Sequence, residues 1–336
     1  MTVGIRDVAR AAGVSTATVS RALGRGPVSD ALREQVEAAV RATGYRPNLS
    51  ARRLRSQAAR TIGLIVADIR NPFFTAVSRA VEDAAFASGM RVILCNTDED
   101  PAREAMYLRL MEEERVTGVI FAPTRVTLES LDTCPLGFPV VLIDRSGPPG
   151  THDSVVLDNV SAGAALVDHL VARGYARIGG LFGATSTTAQ ERQAGYAAAM
   201  RRHGLALSIR TVAPNAAAGE AEAMRWLADS DRPEALVLSN GLILMGTVRA
   251  ARNLGLAIPG DLALAGFDNE PWTDLIEPGL TVIEQPVAEI GAQAMQRLFE
   301  RIASPDQPVR KIILSGRLVV RGSTAQAKRP ENRGPN

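Results

Sequence analysis

Residues 5–23 read IRDVARAAGVSTATVSRAL. Ile5, Val8, Ala9 and Ala12 fall at helical spacing, and Gly13 stands where a short helix ends on a left-handed residue. Val14 then reads as a buried turn residue and Ser15 as an N-cap whose hydroxyl takes an orphan amide. Thr16–Leu23 is expected to form a second helix that turns Val19, Ala22 and Leu23 inward. A third helix is expected with Ser29 as cap, Asp30 in the first turn, Leu32, Val36, Ala39 and Val40 as its apolar face, and Gly44 as its stop. Three such helices close a small core.

Charge separates this head from the rest. Residues 1–60 carry eleven arginines against Asp7, Asp30, Glu34 and Glu37, a surplus of +7; the chain totals +2, so the remainder carries −5. A basic head on a mildly acidic body is the footprint of a polyanion-binding module joined to a part with another task. Residues 45–60, YRPNLSARRLRSQAAR, are broken by Pro47 and keep only Leu49 and Leu54 as large apolar residues, so they read as a linker that needs a partner to fold.

From Thr61 onward, apolar runs alternate with amphipathic stretches. Strands are expected at 61–67, 91–95, 118–122, 139–144, 154–158, 177–182, 235–239, 262–267, 280–284 and 309–314. Helical segments such as FFTAVSRAVEDAAFASG and VAEIGAQAMQRLFERIA stand between them. Short β-rich runs spaced by helices indicate parallel sheets wound by right-handed crossovers, and ten strands suit two doubly wound sheets better than one.

Length and composition exclude several classes. At about 100–200 residues per domain, 336 residues imply more than one domain. No apolar run reaches the length of a membrane span and the N-terminus has no apolar leader segment, so no membrane partner and a cytoplasmic location are expected. Cys95 and Cys134 cannot build a disulfide framework, and His152, His169 and His203 lack metal-ligand spacing, so neither a metal nor a cofactor is expected. The only lysines are Lys311 and Lys328, which excludes a G-K-[ST] phosphate loop. No nucleophile elbow or paired His and Cys appears, so no enzyme is expected.

IRDVARAAGVSTATVSRAL in the head, GYRPNLSARRL after it, TIGLIVADIRNPFF at the start of the body and ALAGFDNEPW near its end together resemble the lactose-repressor (LacI/GalR) family of bacterial transcription regulators. The resemblance implies an all-α helix-turn-helix head on an α/β body whose two subdomains are folded like a periplasmic sugar-binding protein, with a ligand cleft between them. The expected division is a DNA-binding domain at 1–45, a hinge at 46–60, a body at 61–320 and a tail at 326–336. Within the body, one subdomain takes about 61–158 and 286–314, the other about 159–285 and 315–325.

The second helix of a helix-turn-helix enters the major groove with its N-terminal residues on base edges. Thr16, Ala17 and Arg21 are the candidates for base contact, with Ser15, Thr18 and Ser29 as phosphate-positioning or capping groups. Arg52 and Arg53 are candidates for the DNA backbone. By resemblance Leu54 is a minor-groove wedge on a hinge helix that folds on DNA. In doubly wound sheets ligands lie beyond the carboxyl ends of strands, where Asp144, Asn240, Asp268 and, in the following helix, Arg192 stand. The resemblance makes these four cleft residues, with Phe73 and Phe74 as an aromatic wall and Trp272 nearby. Many relatives follow the Asn with Asp, whereas this chain has Asn240-Gly241.

The expected function is a homodimeric, sequence-specific repressor released from double-stranded operator DNA by a small effector. A two-fold operator mirrors a two-fold protein, and the tail beyond Val320 has no leucine heptads to build a tetramer. GFDNEPWTDLIEPGLTVIEQP resembles the branch of the family that senses sugar acids, and Arg192 can fork a carboxylate. A neutral sugar or a purine is the alternative effector. A solute receptor or a sugar-processing enzyme on the same fold is the alternative of a different class.

Overall fold

The computed structural model describes residues 4–23, 27–45, 60–131 and 136–325. Arg52, Arg53 and Leu54, and with them the hinge reading, lie outside the described residues, as does the tail. The chain divides into two compact units, Met1–Ala59 and Arg60–Asn336.

The head consists of α1 (Ile5–Ala11), α2 (Thr16–Leu23) and α3 (Asp30–Thr43). Gly13 turns the chain after α1 at φ +61°, a conformation that costs a residue with a Cβ dearly. Asp7 Oδ2 accepts the Gly4 amide at 2.9 Å, and Ser15 Oγ accepts the Thr18 amide at 3.1 Å, so both short helices are capped at their starts. Val8, Ala9, Ala12, Val19, Ala22, Val36 and Ala39 form the core. Val14 is half-buried rather than buried, because the turn it occupies lies at the edge of that core. The helix ends that sequence left open are closed by α3: Gln35 Nε2 donates to Ala12 O at 2.9 Å and Arg33 Nη1 to Ala22 O at 2.8 Å. Ser29 occupies the N-cap position of α3 in extended backbone, yet its hydroxyl accepts no amide.

The body begins with β1 (Thr61–Val66), α4 (Pro72–Ala87), β2 (Arg91–Asn96), α5 (Pro101–Glu113), β3 (Val119–Phe121), α6 (Arg125–Leu131), β4 (Val140–Ile143) and β5 (Asp153–Leu157). It continues with α7 (Asn159–Ala172), β6 (Ile178–Gly183), α8 (Thr187–Arg202), β7 (Ile209–Val212), α9 (Ala216–Ala228), β8 (Ala235–Leu238), α10 (Gly241–Asn253), β9 (Ala263–Phe267), α11 (Pro271–Leu275) and β10 (Thr281–Glu284). α12 (Val287–Ala303), β11 (Lys311–Leu314) and β12 (Arg317–Val319) follow.

Two six-stranded sheets result, ordered β11-β5-β4-β3-β1-β2 and β12-β10-β9-β8-β6-β7. All pairs are parallel except β12, which runs antiparallel to β10. Two strands escaped the sequence reading, β7 and β12. Both are short edge strands with few fully buried positions, so neither carries the apolar run that marks a central parallel strand. Each sheet is covered on both faces. Phe73, Phe74, Val77, Val81, Ile290 and Leu298 of α4 and α12 close one face of the first sheet, and Leu108, Met111 and Leu128 of α5 and α6 close the other. The second sheet is covered by α7 and α8 on one side and α9 and α10 on the other. The chain passes between the sheets at Asp158, at Gln285–Pro286 and at Ser315–Gly316.

A buried ion cluster ties α12 to its sheet. Asp153, at the start of β5, accepts Arg297 Nη2, Arg301 Nε and the Arg310 amide, each at 2.8 Å. Burial pushes the Asp153 carboxyl upward, but the hydrogen bonds from Arg301, the Arg310 amide and Arg297 outweigh it and hold the pKa below the ordinary aspartate value. Asp153→Ala leaves buried Arg297 with only the partly exposed Glu300 as counter-charge and removes the carboxylate that holds Arg301, and it is expected to cost about 3 kcal/mol of stability at neutral pH, measured by denaturant unfolding. Because folding lowers this pKa, the contribution is complete above the unfolded-state aspartate pKa. It is lost as pH falls through the folded value, so wild type and variant should converge in acid.

Candidate functional site

In the head, Ser15, Thr16, Ala17 and Arg21 are exposed along α2, with Arg21 Nε 3.4 Å from Ala17 O. Thr18 is half-buried, its hydroxyl 2.8 Å from Ser15 Oγ. The inward face of α2 is spent on Val19 and Ala22, so its outward face is a polar surface with one guanidinium. Ser29 is exposed at the start of α3.

In the body, the carboxyl ends of β1, β2, β4, β6, β8, β9 and β10 supply Asp68, Glu99, Asp144, Ser186, Ser239 with Asn240, Asp268 and Gln285 to one cleft between the two sheets. Phe73, Phe74, Arg145, Thr188 and Arg192 complete its polar and aromatic lining. Parallel pairing explains this gathering, since it points all these strand ends the same way. Asp144 and Asp268 each follow a buried strand in left-handed backbone, at φ +64° and +76°, and Glu99, three residues beyond edge strand β2, is left-handed at +60°. Such conformations are costly for residues with a Cβ and persist where the surrounding core imposes them.

Asp268 Oδ2 accepts the Gly241 amide at 2.8 Å and Oδ1 accepts Gln285 Nε2 at 2.7 Å. A Cβ added at Gly241 would lie 3.2 Å from Asp268 Cβ, so the Asn240-Gly241 pair lets α10 begin against this carboxylate. Asn240 caps α10, its Oδ1 accepting the Ile243 amide at 2.7 Å. Phe73 and Phe74 sit on the first turn of α4 with ring centroids 5.0 Å apart at 75°, and the Asn71 side chain caps that turn from Phe73 N at 3.1 Å. They line the cleft and belong to the first sheet's core at once.

Arg192 is 3% exposed on α8. Its Nε donates to Asn159 Oδ1 at 2.8 Å, its Nη1 to Ser239 O at 2.6 Å, and its guanidinium lies 3.9 Å from the Phe267 ring centroid. A Cβ added at Gly163 of α7 would lie 2.3 Å from Arg192 O, so the glycine is what lets α8 pack close enough to deliver this side chain. Burial pulls the Arg192 pKa down from its ordinary value, and Asp268, Asp144 and Glu191 offset this only in part.

Asp144 and Arg145 are both buried and stand together. Arg145 was missed as a cleft residue. Its guanidinium is gripped by both Glu99 oxygens and donates to Pro123 O at 2.8 Å, while its Nε stands 3.2 Å from Asp144 Oδ2. Thr188 was missed too, although it reaches across from α8 to donate to Asp144 O at 3.1 Å and Oδ2 at 3.3 Å. Trp272 is not part of the cleft lining. It packs with the apolar cluster around Leu280, Val282 and Leu244 on the outer side of the second sheet, because α11 turns its indole away from Asp268.

The space within the cleft is about 50 Å³, far below the roughly 300 Å³ or more of typical small-molecule sites. Thr188 and Asp144 join the two sides of the cleft across that space. Among the described residues, no group of three His, Cys, Asp or Glu could hold a metal ion, and no helix is long and apolar enough to cross a membrane.

Residues 4–48 match the family described as bacterial regulatory proteins, lacI family, and residues 167–324 match a periplasmic binding protein-like domain. The chain is 37% identical over 328 residues to the HTH-type transcriptional regulator PtxS of Pseudomonas plecoglossicida, covering 96% of each protein. It is 33% identical over 333 residues to the ribose operon repressor of Halalkalibacterium halodurans, covering 98% of this chain and 99% of that protein. Among solved structures it is similar to the Lac repressor dimer bound to operator and the anti-inducer ONPF, with a TM-score of 0.85 at 25% identity over 97% of this chain and 100% of that one.

Burial raises the Asp144 pKa above the ordinary aspartate value, with Arg145 and Arg192 countering in part. A carboxyl whose pKa is raised by folding binds more protons in the native than in the unfolded state, so its penalty grows as pH rises through that window and is complete above it. Asp144→Asn keeps an acceptor for Thr188 and removes the penalty. The variant is expected to melt at a higher temperature than wild type at pH 7.5, with the gain shrinking toward pH 4. A lower melting temperature at pH 7.5 would show that the ionised carboxylate stabilises the cleft.

Proposed function

Because the chain belongs to the LacI family of bacterial regulatory proteins and is a ligand-responsive transcriptional repressor rather than an enzyme, we propose that it works in the cytoplasm as a homodimer that a small sugar acid releases from operator DNA. The head, residues 1–45, reads one half-site through Thr16, Ala17 and Arg21. Ser15, Thr18 and Ser29 position it, and Arg52, Arg53 and Leu54 engage the DNA from the hinge at 46–60. The body, 61–320, binds the effector between a subdomain of about 61–158 and 286–314 and one of about 159–285 and 315–325.

One observation carries the sugar-acid reading. Arg192 is buried in the cleft, and among the described residues it makes no ion pair and its Nη2 donates to no acceptor. A buried guanidinium held only by neutral groups is electrostatically incomplete, and an effector carboxylate would complete it. Since Asn159 holds Nε, the side-on fork through Nε is closed, and the carboxylate would meet Nη2. Asp144, Asn240 and Asp268 suit hydroxyls, and Phe73 and Phe74 suit the C–H face of the ligand.

A second reading, a neutral sugar, rests on the sign of the lining. Asp68, Glu99, Asp144 and Asp268 outnumber Arg145 and Arg192, and Glu99 already neutralises Arg145. Titration calorimetry with D-gluconate, D-ribose and hypoxanthine separates the readings. D-gluconate is expected to bind most tightly, to release operator, and to lose roughly tenfold or more in affinity in Arg192→Ala. Tighter binding of ribose or hypoxanthine would reject the acid.

The head makes a separate prediction. Arg21→Ala is expected to cost about 1–3 kcal/mol on the preferred operator and to relax discrimination at one base pair in each half-site. Mobility shifts across an operator mutant series, with two chains per operator by stoichiometric titration, check it. Unchanged affinity and preference would reject α2 as the reading helix.

A further inference from the structure

Asn159 is the first residue after the chain leaves the first sheet at Asp158, and it is 1% exposed. Its amide has two partners of opposite character. Oδ1 accepts from Arg192 Nε at 2.8 Å, and Nδ2 donates to Glu191 Oε2 at 2.8 Å. A guanidinium can only donate and a carboxylate can only accept, so the orientation of this amide is fixed by its neighbours. Asn159 thus stands between the cleft and the crossing.

The crossing itself is held by few bonds. The Asp158 amide donates to Leu314 O at 2.8 Å, and Asp158 Oδ1 caps α7 at the Ser161 amide at 3.0 Å. Leu314 precedes another crossing, at Gly316. A Cβ added at Gly316 would lie 2.6 Å from Ile283 Cγ2, 3.3 Å from Glu284 O and 3.3 Å from Leu157 Cδ1. The segment at Gly316 therefore packs directly against the residues that lead into both other crossings, and a shift at one of them meets the other two.

We propose that Asn159 is a positioning residue that ties Arg192 to the crossing at Asp158, so that engagement of Arg192 by an effector is felt by the segments joining the two sheets. The proposal rests on the effector-cleft reading above and adds to it the route by which the cleft reaches the joint. When a carboxylate draws Nη2 toward itself, the guanidinium moves as a rigid plane, and its Nε bond pulls on Asn159. Asn159 begins α7 one residue beyond Asp158, so the displacement is delivered to the bonds at Leu314 and Ser161. Asn159→Leu keeps side-chain size and removes the link. Asn159→Asp keeps the acceptor for Nε while removing the donor to Glu191.

Hydrogen exchange on the full-length protein tests this, read on peptides covering residues 157–162. In ligand-free protein, Arg192→Ala and Asn159→Leu each remove the same bond. Each is expected to speed exchange at the crossing by about tenfold, and the double variant by no more than the larger single effect. Unchanged exchange in Arg192→Ala, or full additivity in the double variant, would overturn the proposal whatever the effector is. In the second arm, wild type saturated with D-gluconate is expected to change its exchange at 157–162. Asn159→Leu at saturation is expected to lose that response, and Asn159→Asp to recover it. A full response in Asn159→Leu would overturn the proposal. Failure of D-gluconate to bind wild type would instead reject the sugar-acid reading and leave the ligand-free arm to decide.

Discussion

Parallel strand pairing is the constraint on which the rest of the body depends. It puts the carboxyl ends of the parallel strands of a sheet on one side, and the chain must cross back after each such strand, through a helix in most cases and through the loop 144–152 between β4 and β5. Asp144, Asn240, Asp268 and Gln285 stand together because each follows a strand of such a sheet. The same rule decides where the chain crosses between the sheets. β10 ends at the cleft, so the crossing at Gln285 leaves directly from its lining, whereas the crossing at Asp158 is reached through Asn159 and Arg192. Gln285 thus lies in a crossing and donates to Asp268.

Concentrating polar groups there is costly, and the cost is met by packing elsewhere. Apolar helices cover both faces of both sheets. That scaffold holds Asp144 and Asp268 in left-handed backbone and keeps Arg145 and Arg192 buried. The two arginines solve the same problem differently. Arg145 is neutralised by Glu99 and so is a fixed part of the wall. Arg192 is held by an amide, a carbonyl and a ring, which bind a cation without cancelling it. Its charge thus remains available in a buried position, where an opposite charge is worth more than in water.

The features legible in the sequence were those set by local rules. Gly13 and Ser15 mark the turn between α1 and α2 because left-handed backbone and N-capping are properties of one or two residues. Ten of the twelve strands, all eight central ones and the edge strands β2 and β11, announced themselves as apolar runs, and the strand-end residues followed from them. What was not legible depends on partners distant in sequence. Ser29 has the chemistry of a cap but its hydroxyl takes no amide, and Trp272 is four residues from Asp268 in sequence yet packs into the apolar cluster instead of the cleft. Arg145 reads as a surface charge until Glu99, 46 residues earlier, is placed against it. Thr188 lies 44 residues from Asp144, and only the fold joins them. β12 carries no signal of its own, since three residues on a sheet edge need only match the backbone of β10.

The contact between Thr188 and Asp144 also bounds how the cleft can work. Both bonds come from a single hydroxyl that joins one sheet's strand end to the other sheet's helix, across a space too small for a sugar. A net hydrogen bond contributes about 0.5–1.5 kcal/mol, so this contact favours the narrow cleft without locking it. An effector that takes over Asp144 replaces the contact instead of adding to it, and the two halves are then joined through the ligand. A ligand shifts a conformational equilibrium only by the difference in its affinity for the two arrangements. Groups reached from both halves therefore matter more to release than groups that any bound arrangement would satisfy equally. By that criterion, on the proposed reading, Asp144 on one side and Arg192 on the other would govern the response, while Asn240, whose Oδ1 caps α10, would contribute chiefly to binding.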